Sequence, residues 1–268
     1  MVLVRNHSFY QAPQNGEDYM NIFETWLATT PIAHRGLFND KIPENSLAAF
    51  KNAIKNKLPI ELDVVGLADG TPVIFRDEKL ARMTGKDGFI SSCTYADIEK
   101  LTLKGSKEKI PTFKEALDVI DGKVPVLIEI KNYGKVGVVE KAVWKELQGY
   151  KGEYAIESFN PYSLEWFKNN APRVKRGQVA SFFKDKEITG VKRFSLKRML
   201  LNKKVSEPNF IVYAAEDMPN KYTRKYYGKM PVIVYTVKSE EEEQRLKGFC
   251  DNIIFDSYIP TSLKETKK

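Results

Sequence analysis

Nine short apolar runs, none longer than eight residues, alternate along this chain with helix-like or turn-rich stretches. That alternation limits the fold more than any other feature. The runs are Pro31–His34, Pro59–Val65, Pro72–Arg76, Val124–Lys131, Glu153–Ser158, Arg173–Val179, Phe210–Ala214, Val232–Val237 and Asn252–Phe255. Between them, Ser46–Lys57 repeats Leu47, Phe50 and Ile54 at helical spacing, with Ser46 placed to cap. Thr112–Ile120, Val136–Gln148, Pro161–Asn170 and Ser239–Leu246 read as further helices. Strands alternating with helices predict β/α units around a parallel sheet. A chain of 268 residues fits one α/β barrel domain. Nine runs exceed a barrel's eight strands by one, so one lies outside the barrel, and the pattern does not say which. The organisation expected is an extension over 1–30, a barrel over 31–260 with a small insertion near 77–110, and a frayed tail over 261–268.

Two of the runs are chemically unusual. Ile60-Glu61-Leu62-Asp63-Val64 and Leu127-Ile128-Glu129-Ile130-Lys131 thread charged residues through apolar sequence at a spacing of two. Successive strand side chains point to opposite faces, so Glu61 shares a face with Asp63, and Glu129 with Lys131. Buried carboxylates are costly unless paired or bound to metal. Two readings stay open here: a metal site, or a structural salt bridge to Lys131 or an arginine. In a parallel barrel the chemistry sits at the carboxyl ends of strands. His34, Glu61, Asp63, Arg76, Glu129 and Lys131 are all expected there.

Charge and composition exclude several classes. No run approaches the 18 or more apolar residues of a membrane span, and Met1–Thr30 lacks the apolar stretch of a signal peptide. Cys93 and Cys250 have no metal-ligand spacing and read as free thiols in a reducing, cytoplasmic compartment. The net charge of +8 is concentrated: residues 173–204 hold eleven Lys or Arg against Asp185 and Glu187, a local excess of +9. This segment reads as a solvated connecting helix, or as a patch that meets anionic phospholipid or steers an anionic phosphodiester. It lacks the interleaved aromatic or glycine pattern of a nucleic-acid surface. The oligomeric state is not written in the pattern.

An ordered series of short motifs spans most of the chain: His34-Arg35-Gly36, Pro43-Glu44-Asn45-Ser46, Glu61-Leu62-Asp63-Val64, Asp69-Gly70, Leu80 and Arg82-Met83-Thr84-Gly85. It continues with Pro111-Thr112-Phe113, Ile128-Glu129-Ile130-Lys131, Ser158-Phe159, Tyr235-Thr236-Val237 and Ile253-Ile254-Phe255-Asp256. In this order the set resembles the glycerophosphodiester phosphodiesterases, which share a (β/α)8 TIM barrel with the phosphatidylinositol-specific phospholipases C. The resemblance implies a metal-dependent phosphodiesterase of lipid metabolism that hydrolyses glycerophosphodiesters to glycerol phosphate and an alcohol. It implies Glu61, Asp63 and Glu129 as ligands of Ca2+ or Mg2+, His34 as an acid/base residue, and Arg35 and Lys131 as phosphate binders. Glu44 and Asn45 match a motif that borders the site, with Glu44 either a further ligand or, the favoured reading, a brace for Arg35, and Tyr235 stands as a substrate contact where the family usually has tryptophan.

One departure bears on activity. The family's third strand-like run ends in Phe-His-Asp, whose histidine is the second acid/base residue, and here it reads Phe75-Arg76-Asp77. Arginine stays protonated, so Arg76 binds phosphate at the catalytic position but shuttles no proton. Gly66-Leu67 also replaces the family's Leu-Thr. Three functions follow: a working phosphodiesterase, a pseudoenzyme that binds glycerophosphodiesters or phospholipid head groups, or a scaffold docking through 173–204. Three convergent carboxylates argue against the scaffold.

Overall fold

The computed structural model describes residues 21–184 and 188–265. The expectations for residues 1–20 and 266–268, and for the 185–187 part of the basic segment, lie outside the described residues. Nine strands form one sheet: β1 (Ile32–Ala33), β2 (Ile60–Gly66), β3 (Pro72–Ile74), β4 (Val126–Lys131), β5 (Tyr154–Ser158), β6 (Arg176–Ala180), β7 (Phe210–Ala214), β8 (Val232–Val237) and β9 (Asn252–Phe255). Each of the nine apolar runs therefore contains a strand. Eight of them pair in parallel, and β1 closes the ring by pairing with both β9 and β2. The architecture is a (β/α)8 TIM barrel.

The ninth strand is β3, which pairs antiparallel with β2, Val64 opposite Ile74. Only five residues, 67–71, join the two strands, too few for a parallel crossover. This corrects two expectations. Arg76 does not end a barrel strand, because it follows a hairpin arm. Glu61 and Asp63 do not end β2 either, because β2 runs past the barrel rim to pair with β3. Residues 77–110 cover this arm through Leu80, Ile90, Ile98 and Leu103, which pack on Val65, Val73 and Phe75 in a separate apolar cluster.

Alternation sorts the barrel's side chains. On β2 and β4, Ile60, Leu62, Val64, Ile128 and Ile130 face outward to Phe50, Phe113 and Val143 of the surrounding helices. Inward, Ile32, Leu127, Ala155, Val179, Phe210, Val212, Ile233 and Ile254 fill the lower barrel. Each such burial contributes about 1.5–3 kcal/mol for a large side chain. Gly177 makes room for this filling, since a Cβ there would lie 2.1 Å from the Phe210 ring. A short helix, Trp26–Thr29, closes the bottom, where Asn252 Nδ2 donates to the carbonyls of Trp26, Leu27 and Thr30.

The helices begin where the sequence caps them. Ser46 accepts from Ala49 N at the start of Leu47–Lys55, and Thr112 and Glu115 form a capping box before Phe113–Ile120. The basic segment is not one connecting helix. It contains β6, a loop, the eight-residue helix Gly190–Lys197 and a turn over Asn202–Ser206. No helix among the described residues is long and apolar enough to cross a membrane.

Candidate active site

The barrel mouth gathers the charged residues of β2 and β4. Asp63 pairs in register with Glu129, both side chains point inward, and Glu61 lies two residues below Asp63. Each of Glu61, Asp63 and Glu129 offers an oxygen within 4.8 Å of the others, and all three are buried. The loop after β1 brings in Arg35, whose main-chain N–H donates to Glu61 Oε2 at 2.8 Å. Its guanidinium pairs with Asp63 Oδ2 at 3.2 Å and with Glu44 Oε1 at 2.9 Å. Gly36 permits this turn: its φ is +78°, and a Cβ would lie 2.9 Å from Ala49. Lys131 pairs with Glu129 Oε1 at 2.7 Å and with Asp63 Oδ1 at 3.2 Å.

Both readings of the acidic strands are thus partly realised. Asp63 is held by two cations, whereas among the described residues no side-chain ion pair is found for Glu61. The electrostatics follow. Burial alone would lift Asp63, but Lys131, Arg35 and His34 hold it well below the usual carboxylate range. Glu61 rises well above that range through burial and the like charges of Asp63 and Glu129. Glu129 rises too, through burial against the opposing pull of Lys131. A hard divalent cation prefers oxygen ligands, and this donor set is entirely oxygen. A cation there would offset the like charges of Asp63 and Glu129 that, after burial, raise Glu61, so the residues fit the group.

His34 stands at the end of β1, and its Nδ1 lies 2.8 Å from Asp256 Oδ2, just after β9. That bond leaves Nε2 free to exchange a proton. Burial lowers the His34 pKa, and the Asp256 hydrogen bond opposes that fall. Tyr235 lies between β7 and β9 with its ring edge-on to Phe159 at 6.0 Å and its hydroxyl 3.3 Å from the Ala180 carbonyl. Glu44 braces Arg35 and is itself gripped by Arg82.

Arg76 is not brought into this cluster. Its side chain is 46% exposed and pairs with Asp77 at the rim at 3.2 Å. From the loop after β4, the Tyr133 hydroxyl donates to the Arg76 carbonyl at 2.6 Å, and burial pushes this phenol up to about 12.

Sequence reasoning gave no role to Asp256, Glu157 or Tyr133, and placed Asn45 only in a motif that borders the site. Asp256 orients His34, but the first and last strands become neighbours only when the barrel closes. Asn45 donates to Asp63 Oδ2 at 2.8 Å from a left-handed turn, φ +55°. Glu157 joins the acidic layer from β5, and a single acid in an otherwise ordinary strand gives little signal. Tyr133 reaches the rim from a loop that no periodicity describes.

A family model described as the glycerophosphoryl diester phosphodiesterase family matches residues 34–258. A glycerophosphodiester phosphodiesterase of Caldanaerobacter subterraneus subsp. tengcongensis is 40% identical over 164 residues, which cover 56% of this chain and 66% of that relative. A Bacillus subtilis enzyme of the same description is 26% identical over 260 residues, 88% of this chain and 86% of the relative. Among solved structures, an Oleispira antarctica phosphodiesterase in complex with the product sn-glycerol-3-phosphate superposes with a TM-score of 0.75. It is 24% identical, covering 90% of this chain and 97% of that one. A Thermotoga maritima glycerophosphodiester phosphodiesterase gives 0.67 at 25% identity, covering 85% and 95%.

Proposed function

The chain belongs to the glycerophosphoryl diester phosphodiesterase family of phosphoric diester hydrolases, and from that membership we propose that it hydrolyses glycerophosphodiesters to glycerol phosphate and an alcohol with a divalent cation. One observation supports this above the rest: three buried carboxylates converge beside a histidine whose outer nitrogen is free. Glu61, Asp63 and Glu129 would hold the cation, Ca2+ or Mg2+, which when bound would supply Lewis-acid charge for the phosphoryl oxygens.

The chain's own groups do the rest. Arg35 spends only part of its donor fork on Asp63 and Glu44 and offers the remainder to a phosphoryl oxygen, and Lys131 adds a point charge beside Glu129. Neutral His34, oriented by Asp256, accepts at Nε2 a proton from the attacking water as the water oxygen forms the new P–O bond. The departing alkoxide needs a proton as the old P–O bond breaks, and Arg76 has none to give. Tyr235 and Phe159, packed edge-on to one another, would contact the alcohol portion.

The position of Arg76 favours a second reading, a pseudoenzyme that binds glycerophosphodiesters or phospholipid head groups without turnover. Two features extend the proposal to the chain's surroundings. Cys93 and Cys250 are free thiols, consistent with the cytoplasm and with lipid metabolism there. On helix Gly190–Lys197, Val191 is 84% exposed and Phe194 is exposed one turn on, beside exposed Lys192, Lys203 and Lys204. Apolar side chains amid cations suit an anionic phospholipid surface better than nucleic acid.

Calorimetric titration of Ca2+ and Mg2+ into the protein tests the site. Binding that Glu61→Gln weakens, with the fold retained, is expected. No binding of either ion would remove the metal-dependent reading.

A further inference from the structure

A fourth carboxylate stands in the layer of the ligands, and neither the salt bridges nor the proposed chemistry uses it. Asp63 pairs in register with Glu129, and Glu129 pairs in register with Glu157 on β5. Three adjacent strands thus project a carboxyl into the barrel at one level, with neighbouring strands about 4.8 Å apart. Glu157 is 2% exposed, and its Oε2 is buried without a hydrogen-bond partner. The protein's two nearby cations are committed elsewhere, Lys131 to Asp63 and Glu129, Arg35 to Asp63 and Glu44.

Among the described residues, no neighbour hydrogen-bonds this buried oxygen. Along the inner face of β5 its neighbours are Ala155 below and Phe159 above. Across on β6, Glu157 meets Gly177, whose side-chain space the Phe210 ring occupies. The Tyr235 hydroxyl is directed to the Ala180 carbonyl. With the Tyr235 phenol spent on that carbonyl, the carboxylates lie on the side of Glu157 toward Glu129. Burial, with the charges of Glu129 and Glu61, lifts its pKa well above the usual range. Native proteins seldom keep a buried polar group unsatisfied without a use for it.

We propose that Glu157 is a fourth oxygen ligand of the cation held by Glu61, Asp63 and Glu129, and that it inclines this site toward calcium over magnesium. The inference rests on the metal-centre reading above. Four carboxylates against Arg35 and Lys131 leave two negative charges, which one divalent cation neutralises. Glu157 lies outside the group of oxygens within 4.8 Å of one another, so it joins by turning its unheld carboxyl toward Glu129. Calcium accepts 6–8 oxygens at roughly 2.3–2.6 Å in flexible geometry and gains from such a ligand. Magnesium requires a compact octahedron at about 2.0–2.1 Å, keeps much of its water, and gains little.

The test is calorimetric titration of CaCl2 and MgCl2 into the wild type, Glu157→Gln and Glu61→Gln, with near-ultraviolet circular dichroism to confirm folding. Wild-type protein is expected to prefer calcium. Glu157→Gln is expected to weaken calcium about 10–100-fold, the range for groups that support a metal site, and magnesium much less, so the preference shrinks. Glu61→Gln is expected to weaken both ions. An unchanged calcium-to-magnesium ratio in Glu157→Gln, with Glu61→Gln still impaired, overturns the role of Glu157 and leaves the metal centre standing. Absence of binding in the wild type overturns the centre itself. If Glu157→Gln does not fold, Glu157→Asp, which keeps the charge but retracts it by one methylene, is read against the same two outcomes.

Discussion

Replacing Arg76 with histidine separates a working enzyme from a binding protein, and its structural setting makes the comparison clean. The side chain is 46% exposed, and among the described residues its one ion pair is to Asp77, whose other oxygen is held by Arg82. Exposed pairs of this kind contribute about 0.2–1 kcal/mol, so Arg76→His should scarcely move the melting temperature. The Tyr133 hydroxyl binds the Arg76 main-chain carbonyl, a contact any side chain at position 76 leaves available. Catalytically the change is much larger. A proton donor is worth about 10²–10⁴-fold, or roughly 2.7–5.4 kcal/mol of activation free energy. The gain should depend on the leaving group, because glycerol or choline departs as a poorly stabilised alkoxide, whereas nitrophenolate needs little help. The assay is kcat/KM for glycerophosphocholine and for an aryl phosphodiester, in wild type and variant. Arg76→His is expected to raise the alkyl-to-aryl ratio about 10²–10⁴-fold. An unchanged ratio, with metal and ligand still bound, would refute the reasoning and favour the pseudoenzyme. Wild-type turnover of glycerophosphocholine at ordinary rates, about 1–10³ s⁻¹, would refute it from the other side by showing that His34 alone suffices.

Three further outcomes are expected. Asp256→Asn removes a charge-assisted hydrogen bond to His34, worth about 1.5–3 kcal/mol, so kcat/KM should fall roughly 10–150-fold. Because Asp256 raises the His34 pKa, the acid limb of the pH–rate profile should also move to lower pH; an unmoved profile would remove His34 from the reaction. Metal-free protein should lose stability as pH rises from the unfolded carboxyl value of 4.5 through the raised pKa of Glu61, because the native state binds more protons than the unfolded state in that window. The Ca2+-induced rise in melting temperature should therefore grow with pH, and a rise that shrinks would contradict it. Binding to phosphatidylserine vesicles should weaken as salt rises and disappear when Lys192, Lys197, Lys203 and Lys204 are reversed to glutamate or Val191 and Phe194 to serine; equal binding to neutral vesicles would leave only a solvated surface.

The barrel was legible because period-two burial is strong in short buried strands, and each of the nine runs holds one. What the pattern withheld was direction. Pro72–Ile74 is as apolar as a barrel strand, and only the short connection through Asp69-Gly70 marks it as a hairpin arm. Arg76 was misplaced for the same reason: it was assigned to a barrel strand's end, and it lies beyond an antiparallel arm. Glu61, Asp63 and Glu129 were readable because charged residues two apart on apolar strands have few other uses. Glu157 was not, since a lone acid in Tyr154–Ser158 resembles a solvated strand face until its register with Glu129 is known. The His34–Asp256 pair joins residues 222 positions apart, and only ring closure brings them together. The basic segment was singled out by charge, as a connecting helix or an anionic-surface patch, and beyond the strand already read at Arg173–Val179 charge carries no periodicity to assign the rest.

The most direct measurement is 31P NMR of the purified protein with glycerophosphocholine, first after treatment with a chelator and then with Ca2+ or Mg2+ restored. Conversion to glycerol phosphate that stops on chelation, resumes with the cation, and is lost in Glu61→Gln is the expected result. Hydrolysis that persists without metal, or no hydrolysis with either ion by both the wild type and Arg76→His, would contradict a metal-dependent phosphodiesterase.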